Sequence, residues 1–184
     1  MLSKRKTAFW LLFMFITLFI YADPAGDIAK AGDDTWNRLI AQYKRDSRWA
    51  DLVSANTVVN NFLRYDKKIM LLPAVDFSDF FTDPEGNKHY WYGEKKETNI
   101  FTIKYNPAIQ DKLDALNKAF GNMSGKYEVL ALITDAWDLW GNVVVMDVIA
   151  IRIQNRACIL IKDDVPVLAG QDIFDRYLKG KAAN

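Results

Sequence analysis

The chain has 184 residues, 24 Lys plus Arg against 23 Asp plus Glu for a formal charge of +1, and a 51% hydrophobic, 26% charged composition. These values suit one globular domain and exclude a disordered, collagenous, disulfide-scaffold or multi-span membrane protein. The near-balance of charge also speaks against a dedicated nucleic-acid binder, which carries a cationic excess.

Lys4, Arg5 and Lys6 form a basic head, followed by an uncharged, mostly apolar run from Ala8 to Ala22 that Asp23 and Pro24 break. That is the layout of a secretory signal peptide, with Ala22 as the last residue before cleavage. Residues 1–22 are therefore read as a leader and the protein as exported, to the periplasm or beyond. The competing reading keeps residues 8–22 as an uncleaved inner-membrane anchor, although a spanning helix needs about 20 apolar residues. Cleavage removes three cations and no acid, turning the formal charge of +1 into −2.

Residues 23–34 are small and polar and read as a flexible leader to a single globular domain over 35–184. Trp36, Leu39, Ile40 and Tyr43 recur at helical spacing after a cap at Asp33 or Asp34. A second helix is expected over 48–65, with Trp49, Leu52, Val53, Asn56, Val59, Asn60 and Leu63 on one side, a face that the two asparagines break, so that helices occupy 35–65. From Lys68 the period changes to 2, opening a β-rich core over 68–162. Ile69–Thr82 leads through the turn cluster Asp83-Pro84-Glu85-Gly86-Asn87 into His89–Tyr92, and Thr98–Tyr105 follows as a third strand. Pro107 opens a helix with Ile109, Leu113, Leu116 and Phe120 on its apolar stripe and Gly121 at its end. Strands are expected at 126–134, 142–153 and 157–162, with a C-terminal helix over 171–179.

Three strands, a helix and two strands is the order of the five-stranded oligonucleotide- and oligosaccharide-binding barrel. The expected fold class is α+β: an antiparallel β-sheet or an OB-like five-stranded barrel with N-terminal helices packed on it. In Val143–Ile153 both faces are apolar, Val143, Val145, Ile149, Ile151 and Ile153 on one and Val144, Met146, Val148 and Ala150 on the other. Such a strand needs cover on both sides, which the terminal helices are expected to supply.

The search for catalytic chemistry is mostly negative. His89 has no flanking Ser or Cys, no phosphate-binding or metalloprotease motif is present, and one His with one Cys does not make a zinc site. No catalytic residue, metal or cofactor is assigned. Cys158, in an apolar run, reads as a buried free thiol. Asp76, Asp79, Asp83 and Glu85 crowd the first hairpin without calcium-loop spacing. Asp135 and Asp138, beside Trp137 and Trp140, are candidates for a carboxylate pair. Asp147 interrupts an apolar strand and must either be paired or face water.

Binding candidates are aromatic. His89, Trp91 and Phe101 fall on the presumed second and third strands, the face such barrels use for ligands, and Trp137 and Trp140 lie in the connection between the fourth and fifth. The resulting functional expectation is an exported, non-catalytic binding or accessory module for an envelope or secreted protein partner or a glycan. It has no nucleic-acid partner and touches a membrane only through an uncleaved N-terminal segment. The alternative is an exported hydrolase that works with carboxylates alone.

Overall fold

The computed structural model describes residues 23–92, 99–121, 126–138, 141–153 and 156–182. The expected leader and its cleavage point lie outside these residues. Within them, β1 (Ile69–Thr82), β2 (Lys88–Tyr92), β3 (Asn99–Lys104), β4 (Lys126–Trp137) and β5 (Asn142–Ile153) close into an OB-like barrel. The ring order is β1–β2–β3–β5–β4 and back to β1.

Four seams of this ring are antiparallel, and the fifth, β3 beside β5, is parallel. This corrects the expectation of antiparallel pairing throughout. The reason is arithmetic: strand direction cannot alternate all the way around a ring with an odd number of members, so closure forces one like-directed pair. Asn142–Met146 of β5 makes that seam, while Ala150–Ile153 of the same strand pairs with β6 (Ala157–Lys162). Strand β7 (Val165–Leu168), which the sequence reading omits, is joined to β6 by Asp163 and Asp164, both at positive φ in a two-residue hairpin turn.

Met70, Leu72, Tyr90, Phe101, Ile103, Val129, Ile133, Val144 and Met146 fill the interior with apolar side chains. Helix α4 (Pro107–Phe120) adds Ile109, Leu113 and Leu116 to this core. It starts as expected, with Pro107 in its first turn and the Asn106 side chain accepting from the Ala108 N–H, and it stops at Gly121, whose φ of +70° favours glycine.

Bulges set which residues face inward. Pro73 lies where the β1 register slips between Leu72 and Val75, a place where its missing N–H costs no ladder bond. On β5, Ala150 faces Leu130 and Val148 faces Ala131, leaving Ile149 as an extra residue. The inward set therefore runs Val144, Met146 and then Ile151, Ile153. The grouping of Val143 and Val145 with Ile151 and Ile153 on one face is corrected by that inserted residue.

The outer cover of the double-sided strand comes from α1 (Pro24–Tyr43). Its Trp36, Leu39, Ile40 and Tyr43 pack with Ile69, Leu130, Ala150 and Cys158 on the barrel's outside. The helix begins at Pro24, so residues 23–34 are not a flexible leader: the Asp23 side chain accepts from the Gly26 N–H, and Ile28 is fully buried. Local composition is small and polar because this end of the helix approaches β6 closely, which large side chains would prevent. At Gly32, a Cβ would lie 2.8 Å from the Cys158 nitrogen and 2.9 Å from the Ala157 carbonyl carbon. Arg152 pins the same helix to the barrel, its guanidinium 2.9 Å from both Asp33 and Glu128.

The helix expected over 48–65 is replaced by three pieces. Trp49 bridges to Ile69, α2 (Ala55–Asn60) is capped by the Ser54 hydroxyl, and α3 (Phe62–Tyr65) follows a break at Asn61. Ala55 and Val58 are buried, whereas Leu52 and Leu63 face solvent, so the apolar spacing over-read one continuous face. The C-terminal α5 (Gln171–Ala182) follows Gly170 and buries Phe174 against Phe120.

Replacing Gly32 by Ala tests the helix–strand approach. Helix propensity favours Ala by about 1 kcal/mol, yet the methyl group collides with backbone that cannot yield, so net destabilisation of about 1–3 kcal/mol is expected. Gly180→Ala, where nothing lies within 4 Å, should leave stability unchanged or raise it. Denaturant midpoints of the two variants make the comparison.

Candidate binding cleft

Strand alternation decides what the outside of β2 and β3 presents. Tyr90 and its partner Ile103 point into the core, so His89 and Trp91 on β2, with Lys104 and Thr102 opposite them, lie on the outer side. Phe101 shares the phase of Ile103 and is buried in the barrel core. Its assignment to the binding face is corrected by that register. Trp91 packs on Phe81, ring centroids 4.8 Å apart. Trp137 belongs to the end of β4, not to the following connection, and its ring stands edge-on to His89 at 6.5 Å. Trp140 lies outside the described residues.

A cleft of about 830 Å³ opens on this side. Its walls are the β1–β2 turn (residues 83–87), Lys88 and His89 of β2, Lys104 and Tyr105 at the end of β3, Thr134, Asp135 and Trp137 of β4, and Val145 of β5. His89 and Trp137 are thus brought together at the cleft, and Trp91 stands beside it on the same strand.

The turn is organised by Asp83. One carboxylate oxygen accepts from the Asn87 backbone N–H at 2.7 Å, and the other meets the Asn87 amide and His89 Nε2, each at 3.0 Å. Burial by itself raises this carboxyl, but the hydrogen bonds from Asn87 and His89 outweigh it and hold the group low, at about 2. Ionised Asp83 only accepts, so Nε2 carries the proton it donates. The imidazole is buried, stacked on Phe81 at 5.3 Å, and its Nδ1 has no hydrogen-bond partner among the described residues. The pair is a strut that fixes the turn against β2. Sequence reading placed both residues without pairing them; an Asp opening a turn and a His six residues on, across the hairpin, was the signal available.

The remaining charges are arranged around the cleft. Lys104 pairs with Asp147 at 3.0 Å, both about half exposed, so Asp147 meets its need for a partner on an open face. The Lys88 ammonium stands 4.7 Å from the Phe80 ring centre and 5.5 Å from that of Tyr105. Asp135 faces the cleft, whereas Asp138 is exposed at the strand end. Asp76 turns to the Ser78 N–H and hydroxyl. Among the described residues, no three His, Cys, Asp or Glu side chains are grouped to hold a metal ion. Cys158 is buried away from the cleft beneath α1, and burial pushes its thiol up to about 12.

Because folding lowers the Asp83 carboxyl from its ordinary 3.8 to about 2, its ionised form stabilises the fold above pH 4, and that contribution is lost as pH falls toward 2. An Asp83→Ala variant should therefore be less stable than the parent at neutral pH, with the gap closing between about pH 4 and pH 2. Thermal melts across that range would show the convergence; a gap of constant size would assign Asp83 no ionic role.

The chain matches no protein-family model, no curated protein and no solved structure, so its functional reading rests on the geometry of this cleft.

Proposed function

We propose that the protein is an exported, non-catalytic binding module that holds a glycan in the cleft on the β2–β3 face. The observation that carries this reading is the cleft itself. It occupies the strand face and first-loop position through which OB-like barrels take oligosaccharides and oligonucleotides, and its size suits a few sugar rings. Trp137 offers a ring for stacking, and Asn87, Asp135 and Thr134 offer polar groups for hydroxyls. A concave wall of this kind favours a chain-like ligand over the flat surface of a folded protein partner. Asp83, Glu85 and Asp135 would repel a phosphate backbone.

Hydrolysis by carboxylates needs one acid kept protonated near neutral pH. Asp83 is held ionised and spends both oxygens on the turn, which disqualifies it as that proton donor.

Export rests on residues 1–22, whose layout directs the chain across a membrane. Among the described residues, no helix is long and apolar enough to cross one. The N-terminus of the exported protein should be Asp23; recovery of intact Met1 in a membrane fraction would establish the anchored form instead.

Protein purified from the exported fraction should bind neutral oligosaccharides in titration calorimetry. Trp137→Ala should weaken that binding about 2- to 10-fold, while Leu63→Ala, on an exposed turn of α3, should not change it. Absence of binding to any oligosaccharide would overturn the glycan reading.

A further inference from the structure

The basic residues of this chain are not spread evenly. Residues 44–68 hold six cations and three acids, a formal +3, whereas the other residues from Asp23 onward hold fifteen cations and twenty acids, a formal −5. The fold gathers those six. Trp49 bridges to Ile69, the Ile69 N–H donates to the Arg48 carbonyl at 2.8 Å, and the Lys68 ammonium donates to the Ser47 carbonyl at 2.6 Å, so 44–51 lies against 64–69. Arg48 is matched by Asp46 and Lys67 by Asp66, while Asp51 takes the Trp49 indole N–H. Lys44, Arg45 and Arg64 are exposed and have no carboxylate partner among the described residues. Apolar surface lies in their midst. Leu63, next to Arg64 in the chain, is 97% exposed and Leu52 is 40% exposed. Between the two segments runs a groove of about 350 Å³, lined by Trp49, Asp51, Val53, Arg64, Tyr65 and Lys68 among others.

We propose that this face docks the protein on an anionic phospholipid bilayer. One exposed leucine is ordinary on a protein surface. Exposed leucines among unmatched cations combine the two attractions that peripheral attachment needs, insertion of apolar side chains and pairing with lipid phosphates. Trp49 and Tyr65, half-buried at the groove, are ring types suited to the headgroup level. The sequence reading puts Leu52 and Leu63 on one helical face and leaves the membrane to an uncleaved leader; the break at Asn61 and the bridge at Trp49 turn both leucines outward instead. The leader joins at the start of α1, a 20-residue helix about 30 Å long whose other end, Tyr43, adjoins the patch. The face therefore needs no help from residues 1–22 and works in the cleaved protein. On the export reading above, it holds the protein at the outer surface of the membrane it crossed.

The test is co-sedimentation of protein from the exported fraction with vesicles of phosphatidylcholine, alone or with about 30% phosphatidylglycerol. Binding to the phosphatidylglycerol vesicles should be at least about 10-fold tighter and should fall to the phosphatidylcholine level at about 0.5 M salt. A Lys44→Gln/Arg45→Gln/Arg64→Gln variant should lose affinity about 10- to 100-fold, and Leu63→Ser, which changes no charge, about 3- to 10-fold. Trp137→Ala, in the cleft, should leave vesicle binding unchanged, which separates this face from the glycan site. Any leader retained is common to parent and variants, so the comparison holds with or without cleavage. Equal binding to the two vesicle types would overturn the proposal. So would full affinity in Leu63→Ser, or binding to soluble polyglutamate as tight as to the vesicles, either of which would make the patch a site for an acidic polypeptide. The lipid and salt series need no variant, so the proposal is decided even where the triple substitution unfolds the chain.

Discussion

A five-membered ring of strands cannot be antiparallel at every seam, and the architecture follows from where this barrel puts its one parallel pair. Running β3 and β5 side by side requires a crossover, and α4 with β4 provides it. It also makes β5 the busiest strand of the fold. Its first half closes the barrel against β3, its second half carries β6, and its other edge is paired along its length with β4. Such a strand has paired edges and little exposed surface, which is why Val143–Ile153 is apolar on both sides, with Asp147 and Arg152 as the exceptions. Asp147 meets Lys104 on the open cleft side, and Arg152 meets Asp33 and Glu128 under the helix.

That double burial makes α1 part of the fold and not an appendage. The outer faces of β1, β4, β5 and β6 are covered by one helix, and its tight approach is set by a residue with no side chain. Glycine in a helix interior is costly by propensity alone; at Gly32 the cost is offset by letting the helix lie on the β6 backbone, where Trp36 and its neighbours complete the seal.

The cleft is a consequence of the same geometry. The β2–β3 ladder keeps Tyr90, Ile103 and Phe101 inside and turns His89 and Trp91 outward, while the slips in β4–β5 pairing bring Thr134, Asp135 and Trp137 toward them. The Asp83–His89 strut then holds the β1–β2 turn as one wall. Rigid strands carry most of the lining, so the cleft is preformed, a condition that lowers the ordering cost of taking a flexible chain such as an oligosaccharide.

Local chemistry was sufficient to determine the barrel strands, the helix between β3 and β4 with its Pro107 start and Gly121 stop, the Asp83–Asn87 turn and the need for outer cover, because period, capping and turn residues act over a few positions. It could even have required the parallel seam, since an odd ring admits no other closure. It misplaced what depends on distant backbone. Phe101 was assigned outward because its register against β2 is a pairing property; Trp137 was placed in a loop because β4 continues only when β5 lies beside it. The small residues after Asp23 read as flexible because the surface that orders them, Ala157 and Cys158 of β6, is more than a hundred positions away. The cleft came from tertiary structure alone: no stretch of sequence contains Asp83, Lys104 and Asp135 together, and only the closed barrel sets them around one hollow.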